Sequence, residues 1–422
     1  MNMLETLLSE HCPDGVEYKT LGELGEFYGG LSGKSKEDFV DGNAKFITYM
    51  NVFSNLEVNT DITDRVKVGE TERQNTVQLG DILFTGSSET PDECGMASVL
   101  TVESDEPLYL NSFCFGFRLF DTSLLLPGFS KYLFRSTALR KQIVRTANGV
   151  TRFNVSKEKM KKVRLPLPPI PVQRKIVEVL DNFTELTAEL TAELTARKKQ
   201  YEYYRDFLLT FDKTATQLLT DRQTDRQTDR QVRWVTLGEI GRVAMCKRIM
   251  KAETSSDGDV PFYKIGTFGK APDAYISAET YERYKRDYSY PKKGDVLISA
   301  AGTIGRAVIF DGEPAYYQDS NIVWLEHDES QVLNKYLFYI YQLSPWHVST
   351  GGTIARLYND NITRARIPLP SLEEQARIVE ILDKFDALTT DITAGLPAEI
   401  AARQKQYEYY RDKLLTFKEK AA

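Results

Sequence analysis

A heptad pattern of apolar positions runs through one stretch that the chain contains twice. The first copy extends from Leu165 to Phe211 and the second from Ile367 to Phe417. In the first copy the seam residues alternate by four and three, which is the a/d spacing of a coiled coil. The seam, interrupted by Thr187 and Arg197, consists of Ile176, Leu180, Phe183, Thr187, Leu190, Leu194, Arg197, Tyr201, Tyr204, Leu208 and Phe211. Each copy therefore predicts one long helix, roughly 50 Å in length at ~1.5 Å per residue.

The starts of the two helices carry initiation signals. Pro171 suits a first turn, where its missing N–H costs no hydrogen bond. Ser371 and Glu374 form an S-x-x-E capping box before the second seam. Both copies contain the same QYEYYRD block, at 200–206 and at 406–412. This identity favours two helices that pair with each other as a coiled coil over two ordinary amphipathic core helices.

The segments between the helices also repeat, in the same order. VEYKTLGELGEF from Val16 returns as VRWVTLGEIGRV from Val232, and LGDILFTGSSETPDECGMASVL is paralleled by KGDVLISAAGTIGRAVIF. LNSFCFGFRL is paralleled by YYQDSNIVWL, and NGVTRFNV by GGTIARLYND. Such short, aromatic, partly alternating stretches with glycine turns are typical of strands. We therefore expect a mixed α/β protein with two globular domains of short strands and helices, which differ from each other more than the helices do.

Internal repetition also sets the expected boundaries. The chain should consist of an N-terminal helix (1–15), a first globular domain (16–164), a central long helix (165–211), a linker (212–231), a second globular domain (232–366) and a distal long helix (367–422). TDRQTDRQTDRQ in the linker has no apolar residue to bury, and it predicts a solvated linker or a frayed helical extension. Since ATQLLTDRQ before it resembles the N-terminal LETLLSEHC, we expect the ends of the chain to meet in a pseudo-twofold arrangement.

Composition narrows the class of protein. The chain of 422 residues has no charged-then-apolar leader and no long apolar run, so neither secretion nor a membrane span is expected. Four cysteines that lie far apart disfavour structural zinc and disulfides, and suit a reducing cytoplasm; they are Cys12, Cys94, Cys114 and Cys246. The net charge of −6 does not favour a pure phosphate binder. Charge is uneven, however, because residues 131–164 carry eleven Lys and Arg and a single acid, Glu158.

No recognisable active site is present in the sequence. GGLSGKS at 29–35 lacks the first glycine of a Walker phosphate loop, because that position is Tyr28. There is no GxGxxG and no HExxH, and LPPIPV at Leu167 lacks the acidic or amide residue and the aromatic residue of an NPPY-like adenine pocket. Asp81 and Asp295 lie in two GD turns, where an aspartate is usually structural. These observations favour a protein without chemistry of its own.

Over nearly its whole length the chain resembles the specificity subunits of type I restriction–modification systems. The resemblance rests on CPDGVEYKTLGE, SSETPDE, FCFGFR, AGTIGR, the paired LPLPP and IPLPS segments, QYEYYRD and, most specifically, TAELTAEL at 187–194. It implies two target-recognition domains joined by two antiparallel helices, each domain reading one half of a split site in double-stranded DNA. The TDRQ repeats have no counterpart in the family pattern.

The resemblance also implies which partners carry out the chemistry. The chain itself is expected to be non-catalytic and to hold no cofactor or metal. Two modification subunits would methylate adenine with S-adenosylmethionine, and restriction subunits would supply translocation and cleavage with ATP and magnesium. The exposed faces of the helix pair are the expected docking surface for the two modification subunits, in the cytoplasm.

Side chains on glycine-containing loops are the expected base contacts, because they can reach the edges of bases. In the first domain these are Ser32, Lys34, Ser87, Ser88, Glu89, Thr90, Arg152 and Asn154. In the second domain they are Lys247, Arg248, Lys264, Thr303, Arg306, Arg356 and Asn359. The basic run 131–164 is expected to hold DNA phosphates.

Two other classes of function share some of these features. A coiled-coil scaffold that displays two binding modules without DNA specificity would show the same repeat. DNA binding by the chain, alone and with a methyltransferase partner, separates the two possibilities. A fused enzyme that both reads and methylates DNA is disfavoured by the missing adenine pocket.

Overall fold

The structure is a computed structural model that describes Thr6 and residues 10–211, 232–347, 356–391 and 394–421. The chain divides into two compact units: unit 1 contains residues 1–191 and 399–422, and unit 2 contains residues 192–398. The predicted linker 212–231 lies outside the described residues, and so do residues 1–5 and 7–9 of the predicted N-terminal helix. Among the described residues, no helix is long and apolar enough to cross a membrane.

Unit 1 combines short strands with small helices, as expected for a mixed α/β domain. Its strands are β1 (Glu17–Thr20), β2 (Gly25–Gly29), β3 (Ala44–Ile47), β4 (Arg65–Val66), β5 (Thr76–Val77), β6 (Ile82–Thr85), β7 (Ser87–Ser88), β8 (Ala97–Val99), β9 (Leu108–Leu110), β10 (Cys114–Leu119), β11 (Ala147–Asn148), β12 (Phe153–Val155) and β13 (Arg164–Leu167). Its small helices are α1 (Leu21–Leu24), α2 (Tyr49–Ser54), α3 (Pro127–Leu133), α4 (Thr137–Val144) and α5 (Lys157–Met160), with a 3-10 helix at Lys36–Phe39.

The core of unit 1 lies on both faces of one sheet, which has the strand order β2-β10-β6-β8. Strand β6 is buried at all four positions. Alternate side chains of a strand point to opposite faces, and accordingly Ile82 and Phe84 join one apolar cluster while Leu83 joins another. Burial on both faces explains why β6 begins with three consecutive apolar residues, Ile82 to Phe84, and does not alternate with polar ones. The other sheets of unit 1 are β4-β3-β9-β5, β11-β12-β7 and the pair β1-β13.

Unit 2 repeats this framework with different loops. Its strands are β14 (Arg233–Thr236), β15 (Arg242–Ala244), β16 (Val260–Tyr263), β17 (Tyr275–Ile276), β18 (Val296–Ser299), β19 (Ala307–Ile309), β20 (Tyr316–Tyr317), β21 (Ile322–Glu326) and β22 (Arg366–Leu369). Its small helices are α7 (Leu237–Ile240), α8 (Ala278–Asp287), α9 (Asn334–Gln342) and α10 (Asn359–Thr363), with a 3-10 helix at Lys251–Glu253. The sheet order β15-β21-β18-β19 matches β2-β10-β6-β8, and β16 pairs with β20 in parallel as β3 does with β9. The predicted internal repeat is thus confirmed at the level of topology.

The first and last strands of each globular part pair with each other. In unit 1, β1 pairs antiparallel with β13, so that Glu17 lies opposite Leu167; in unit 2, Arg233 lies opposite Leu369. The LPLP and IPLP segments are therefore strands, whereas the sequence analysis placed them at the helix starts. The reason is steric, because a residue that precedes proline is driven out of the helical region towards extended backbone. The long helices begin directly after these strands, at Ile170 and Leu372, as Pro171 and the Ser371 capping box predict.

The central helix α6 spans Ile170–Thr210 without interruption, which confirms the first long helix. Its 41 residues correspond to roughly 60 Å. The seam is buried towards both ends, at Ile176 and Leu180 in unit 1 and at Tyr201 and Leu208 in unit 2. Between them Leu190 and Leu194 are half-buried, while the glutamates beside them are exposed.

The helices pair through an aromatic stack in each unit. In unit 1, Phe183 of α6 stacks on Tyr410, with ring centroids 5.4 Å apart. In unit 2, Tyr204 of α6 stacks on Phe385 at 5.6 Å. Phe385 and Tyr410 are the counterparts of Phe183 and Tyr204 in the sequence repeat. Both halves of the repeat therefore use the same pair of residue types to join the helices.

A buried glutamine fastens each long helix to its globular part. Gln173 accepts a hydrogen bond from the Leu126 N–H at 2.9 Å and donates to the carbonyls of Leu124 and Pro168, both at 2.8 Å. Its counterpart Gln375 repeats this arrangement in unit 2, where its partners are Leu333, Gln331 and Pro370. Both glutamines are fully buried. The fixed pattern of three bonds determines how each helix leaves its domain.

The distal helix differs from the expectation of one continuous element. It consists of α11 (Leu372–Thr390) and α12 (Leu396–Leu414). Ser371 caps α11 by accepting from the Glu374 N–H at 3.3 Å. The break follows from Gly395, whose backbone approaches α11 so closely that a Cβ would lie 2.5 Å from the carbonyl oxygen of Ala387. Pro397, in the first turn of α12, has no N–H with which to continue the helix. The apolar series Leu388, Ile392, Leu396 and Ile400 is interrupted there, and Ile392 lies outside the described residues.

The end of the chain returns to the start of unit 1. The Val16 N–H donates to Lys418 O at 2.8 Å, and the Lys420 N–H donates to Val16 O at 3.0 Å. Arg164 of β13 forms a two-bond ion pair with Glu419. The expected meeting of the chain ends is therefore confirmed for these residues.

Candidate nucleic-acid interface

Unit 1 has a surface cavity of about 790 Å³ beside β7 and β12. It gathers four of the predicted contact residues, Ser87, Ser88, Glu89 and Arg152. The remaining lining residues are Tyr49, Met50, Phe53, Glu93, Phe113 and Thr151. Because β7 and β12 pair directly, with Ser87 opposite Asn154, the two predicted loops are brought to one place. The cavity is thus lined by aromatic rings together with acidic and basic side chains.

The side chains of this cavity are held in position by one another. Arg152 donates to the Ser87 hydroxyl at 3.1 Å and lies over the ring of Phe113, with its guanidinium carbon 5.7 Å from the ring centroid. Glu93 accepts from Thr90 at 2.8 Å and from Ser88 at 3.3 Å. Phe113 is nevertheless 58% exposed, so its ring is available to a ligand.

Ser32 and Lys34 do not line this cavity. The Ser32 backbone bonds to the Gln74 side chain in both directions. The Lys34 ammonium donates to the carbonyl of Lys67 and to Glu72, both at 2.6 Å. Chiefly through this ammonium, the pKa of the Glu72 carboxyl is lowered to about 2. Lys34 therefore braces a loop of unit 1.

Unit 2 has a cavity of about 510 Å³ that gathers Arg248, Lys264 and Arg356 of the predicted set. The other lining residues are Ile249, Lys251, Thr254, Phe262, Ala274, Gln318, Asp319, Ser320 and Asn321. Arg248 pairs with Asp319 at 2.9 Å, and Lys264 pairs with Asp273 at 2.8 Å. Four basic side chains against one lining acid give this cavity a positive character.

The other predicted residues of unit 2 lie outside this cavity. The ammonium of Lys247 lies 5.0 Å above the ring centroid of Tyr288. The Thr303 carbonyl accepts from Ser299, and Arg306 donates to the carbonyl of Phe268 at 2.7 Å. Asn359 is exposed at the start of α10. Of the residues predicted in unit 2, Arg248, Lys264 and Arg356 therefore lie together in the cavity, and the others do not line it.

The two cavities occupy equivalent places in the repeated framework. In unit 1, Gly86 N donates to Phe113 O at 2.7 Å and Val155 N to Gly86 O at 2.9 Å. In unit 2, Ala300 N donates to Asn321 O at 2.7 Å and Leu357 N to Ala300 O at 2.8 Å. These bonds make Phe113 the counterpart of Asn321, and Asn154 the counterpart of Arg356. The sequence analysis missed Phe113 and Asn321, although both lie in paralleled segments of the repeat.

Three cations of the basic run 131–164 form bonds inside unit 1, which leaves the expected phosphate contacts to the exposed cations of the run. Lys131 pairs with Asp181 at 3.0 Å and Glu57 at 3.3 Å. Arg135 donates to backbone carbonyls including those of Val52, Phe53 and Asn55, and burial lowers its pKa to about 10. Arg140 donates in the same way to carbonyls of residues 92, 94 and 95. Exposed cations remain at Lys141, Arg145, Arg152, Lys157, Lys159, Lys161, Lys162 and Arg164.

Both turn aspartates are structural, as expected. Asp81 is buried and accepts hydrogen bonds from Tyr28 at 2.7 Å and from Arg118 at 2.6 Å. Asp295 accepts from the Lys292 N–H at 2.7 Å, and burial raises its pKa. In the part of the chain that the structure describes, no group of three or more His, Cys, Asp or Glu side chains is placed to hold a metal ion.

The repeated QYEYYRD block presents the same exposed aromatic residue twice. Tyr203 of α6 and Tyr409 of α12 are each 61% exposed. A cavity of about 750 Å³ lies beside Tyr409, between Lys405, Glu408, Asp412, Lys413 and Thr416. The first tyrosine of each block, Tyr201 or Tyr407, is instead buried. Each block therefore combines a core residue with an outward aromatic residue.

Comparison with known proteins identifies the family. The type I restriction modification DNA specificity domain matches residues 13–197 and 231–402, and the chain belongs to this family. A Haemophilus influenzae protein described as the type I restriction enzyme specificity subunit S.HindORF215P is 53% identical over 269 residues, which cover 64% of this chain and 68% of that protein. The Escherichia coli EcoR124I/EcoR124II specificity subunit is 35% identical over 282 residues, covering 62% of this chain and 65% of that protein.

A solved structure supports the same fold. One chain from a study of complex assembly and conformational transition in the type I R-M system superposes with a TM-score of 0.59 at 17% identity. The superposition covers 95% of this chain and 97% of that chain. At this identity the likeness shows the mixed α/β fold alone.

Proposed function

We propose that this chain is the DNA-recognition subunit of a type I restriction–modification complex, in which each unit reads one half of a bipartite site. One observation carries the proposal: two cavities occupy equivalent places on one repeated framework, yet differ in lining. A shared framework supports the same task twice, and different linings support two different half-sites. A scaffold without DNA specificity would not need polar, partly unpaired side chains at both places.

The modification subunits are the proposed partners of the helices, one for each copy of the QYEYYRD block. Aromatic residues are enriched among the residues that dominate binding at protein interfaces, and Tyr203 and Tyr409 are equally exposed. Two copies of one sequence block, each with an exposed tyrosine, suit two copies of one partner. S-adenosylmethionine, ATP and magnesium belong to the partner subunits in this proposal, and the complex works in the cytoplasm.

The test of DNA reading is adenine-methylation mapping in a genome that carries this chain with its modification subunit. The expected result is one split motif whose two half-sites differ and whose spacer has a fixed length. A motif with identical half-sites, or methylation without a motif, contradicts the proposal. Calorimetry on the isolated chain should detect no S-adenosylmethionine binding, since the sequence has neither a GxGxxG loop nor an NPPY-like adenine pocket.

The test of docking compares Tyr203→Ala, Tyr409→Ala and the double variant. Each single variant should retain one modification subunit and the double variant neither, as measured by the mass of the purified complex. Tyr288 is another exposed tyrosine of unit 2, and it lies outside the long helices. Tyr288→Ala is therefore the control and should keep both partners. Full binding by the double variant would show that the partners dock elsewhere.

A further inference from the structure

The unit 2 cavity differs from its counterpart in the sign of its charge. Arg248, Lys251, Lys264 and Arg356 line it together with one acid, Asp319. The unit 1 cavity instead carries one cation, Arg152, against Glu89 and Glu93. Positive charge alone suits either a phosphate or the acceptor atoms of a base. The geometry of the individual cations distinguishes the two.

Arg356 is the cation of this cavity that a backbone carbonyl orients and that no carboxylate of the described residues pairs with. Its Nη2 donates to the Ser320 carbonyl oxygen at 2.8 Å, and the residue is half-buried. Arg248 and Lys264, by contrast, are paired with carboxylates. Among the described residues no carboxylate pairs with Arg356. One N–H therefore fixes the plane of the guanidinium, while the remaining donors are left for a ligand.

The loop that holds Arg356 is itself in a strained conformation. Ser320 has a φ of 53°, in the left-handed region that a residue with a side chain rarely adopts. The Asn321 N–H closes a tight turn onto Asp319 O at 2.6 Å, and Gln318 N bonds to Tyr263 O at 2.9 Å. Strained backbone of this kind persists where the surroundings hold it, and it clusters at binding sites. The Asn321 side-chain amide lines the cavity and has no hydrogen-bond partner within the described part of the chain.

We propose that Arg356 recognises a guanine in the half-site that unit 2 reads. The inference rests on the proposed function and adds the base and the residue. In the major groove guanine presents two acceptors, O6 and N7, which an arginine fork meets with two parallel bonds. A phosphate can be held by a lysine point charge, which the exposed Lys251 supplies, whereas the two acceptors of guanine require an oriented fork. Asn154 stands at the equivalent place in unit 1, so the same contact is not expected in the other half-site.

The experiment selects binding sites for the complete complex with its modification subunits from a duplex library in which every base of both half-sites varies. Wild type should prefer guanine at one position of the unit 2 half-site. Arg356→Ala should reduce that preference by about 10- to 100-fold and leave the other positions unchanged. Arg356→Lys keeps the charge but loses the fork, so it should also lose most of the preference. Lys251→Ala should weaken binding to all sequences alike and lower its salt dependence.

Each other outcome has a definite meaning. If Arg356→Ala and Arg356→Lys retain the full base preference, or if Arg356→Ala weakens all sequences alike, Arg356 does not read guanine and the inference is overturned. A wild-type preference for another base at the affected position overturns it as well. If wild type has no base preference at any position, it is the proposed function that fails. Asn154→Ala, which should leave the unit 2 half-site unaltered, serves as the matched control, and Arg356→Lys carries the test if Arg356→Ala does not fold.

Discussion

Gln173 and Gln375 are single residues with an effect on the position of a whole helix. Each side-chain amide satisfies one N–H and two carbonyl groups that are otherwise enclosed by apolar residues. A buried polar group left without a partner costs about 1–3 kcal/mol. Gln173→Ala leaves three such groups, although local relaxation and water entry recover part of the cost.

We expect Gln173→Ala to lower the free energy of unfolding of unit 1 by about 2–4 kcal/mol, as measured by denaturant titration. Gln375→Ala should lower that of unit 2 by a similar amount, because its three bonds are equivalent. Gln404→Ala, at an exposed position of α12, is the control and should change stability by less than about 0.5 kcal/mol. Equal effects of Gln404→Ala and Gln173→Ala would show that the buried amide has no special role.

The ion pair of Lys34 and Glu72 predicts a pH-dependent loop. The folded-state pKa of Glu72, about 2, lies below its ordinary value of 4.5. The pair therefore adds stability above the ordinary pKa, and this contribution is lost as the pH falls from about 4.5 through about 2. Lys34→Ala should raise the Glu72 pKa towards 4.5, which NMR titration of the carboxyl group measures directly. An unchanged pKa would mean that Gln74 and the Gly69 N–H hold the carboxylate without the lysine.

The sequence did not predict which arginines of the basic run form internal bonds and which one lines the cavity. Arg135, Arg140 and Arg152 all lie in one basic run, yet the first two bind backbone carbonyls inside unit 1 and the third lines the cavity. What separates them is the neighbouring backbone, which is contributed by distant residues such as Val52 and Cys94. Charge patterning along the chain carries no information about those neighbours.

Among the elements, α6 was predictable and the break between α11 and α12 was only partly so. A seam sustained from Ile176 to Leu208 outweighs its two polar interruptions, because apolar side chains are buried towards both ends of the helix. In the distal copy, Gly395 and Pro397 are residue types that disfavour the interior of a helix. That the helix stops there depends on the close approach of Gly395 to Ala387, which is a packing contact. The LPLP strands depend likewise on pairing with β1, about 150 residues earlier in the chain.

The uninterrupted α6 predicts that its length sets the distance between the half-sites. Inserting a further TAEL after Leu194 keeps a leucine in the seam and adds ~6 Å of helix. Because DNA advances ~3.4 Å per base pair, the spacer of the recognised site should lengthen by about one or two base pairs. Methylation mapping of the variant measures both the spacer and the half-sites. Replacing Glu189 and Glu193 with glutamine leaves the helix length unaltered and should leave the spacer as it was.

A spacer that stays the same after the insertion would mean that the helices do not measure the distance. A changed half-site would mean that the insertion disturbs the globular parts. Neither is expected, since the inserted residues lie far along α6 from the buried attachment at Gln173.

For the whole molecule, the repeat predicted the architecture because the same landmarks occur in the same order in both halves. The two four-stranded sheets share one strand order, while the cavity linings differ. Topology follows from the apolar strands, which the repeat preserves. We therefore expect the recognised bases to depend on loop residues such as Glu89 and Arg356, at positions that the framework does not constrain.

Independent units predict independent half-sites. Exchanging residues 16–167 for the corresponding segment of a relative should change one half-site and leave the other half-site and the spacer unchanged. Residue 167 is chosen because β13 belongs to the globular part. An exchange that ends at 163 instead would separate β1 from its own partner strand, and should lower the melting temperature. Methylation mapping that showed both half-sites altered would contradict independence.

The pairing of Glu17 with Leu167 has a consequence for inheritance. A DNA segment that begins at codon 16 and ends at codon 167 encodes a body whose entry and exit are adjacent strands, about 5 Å apart. Recombination that replaces this segment alters neither the number of turns in α6 nor the aromatic residues on its surface. Under the proposed function, a lineage that carries this chain would therefore acquire a new recognition site in one genetic event, while the genes of the partner subunits remain as they were.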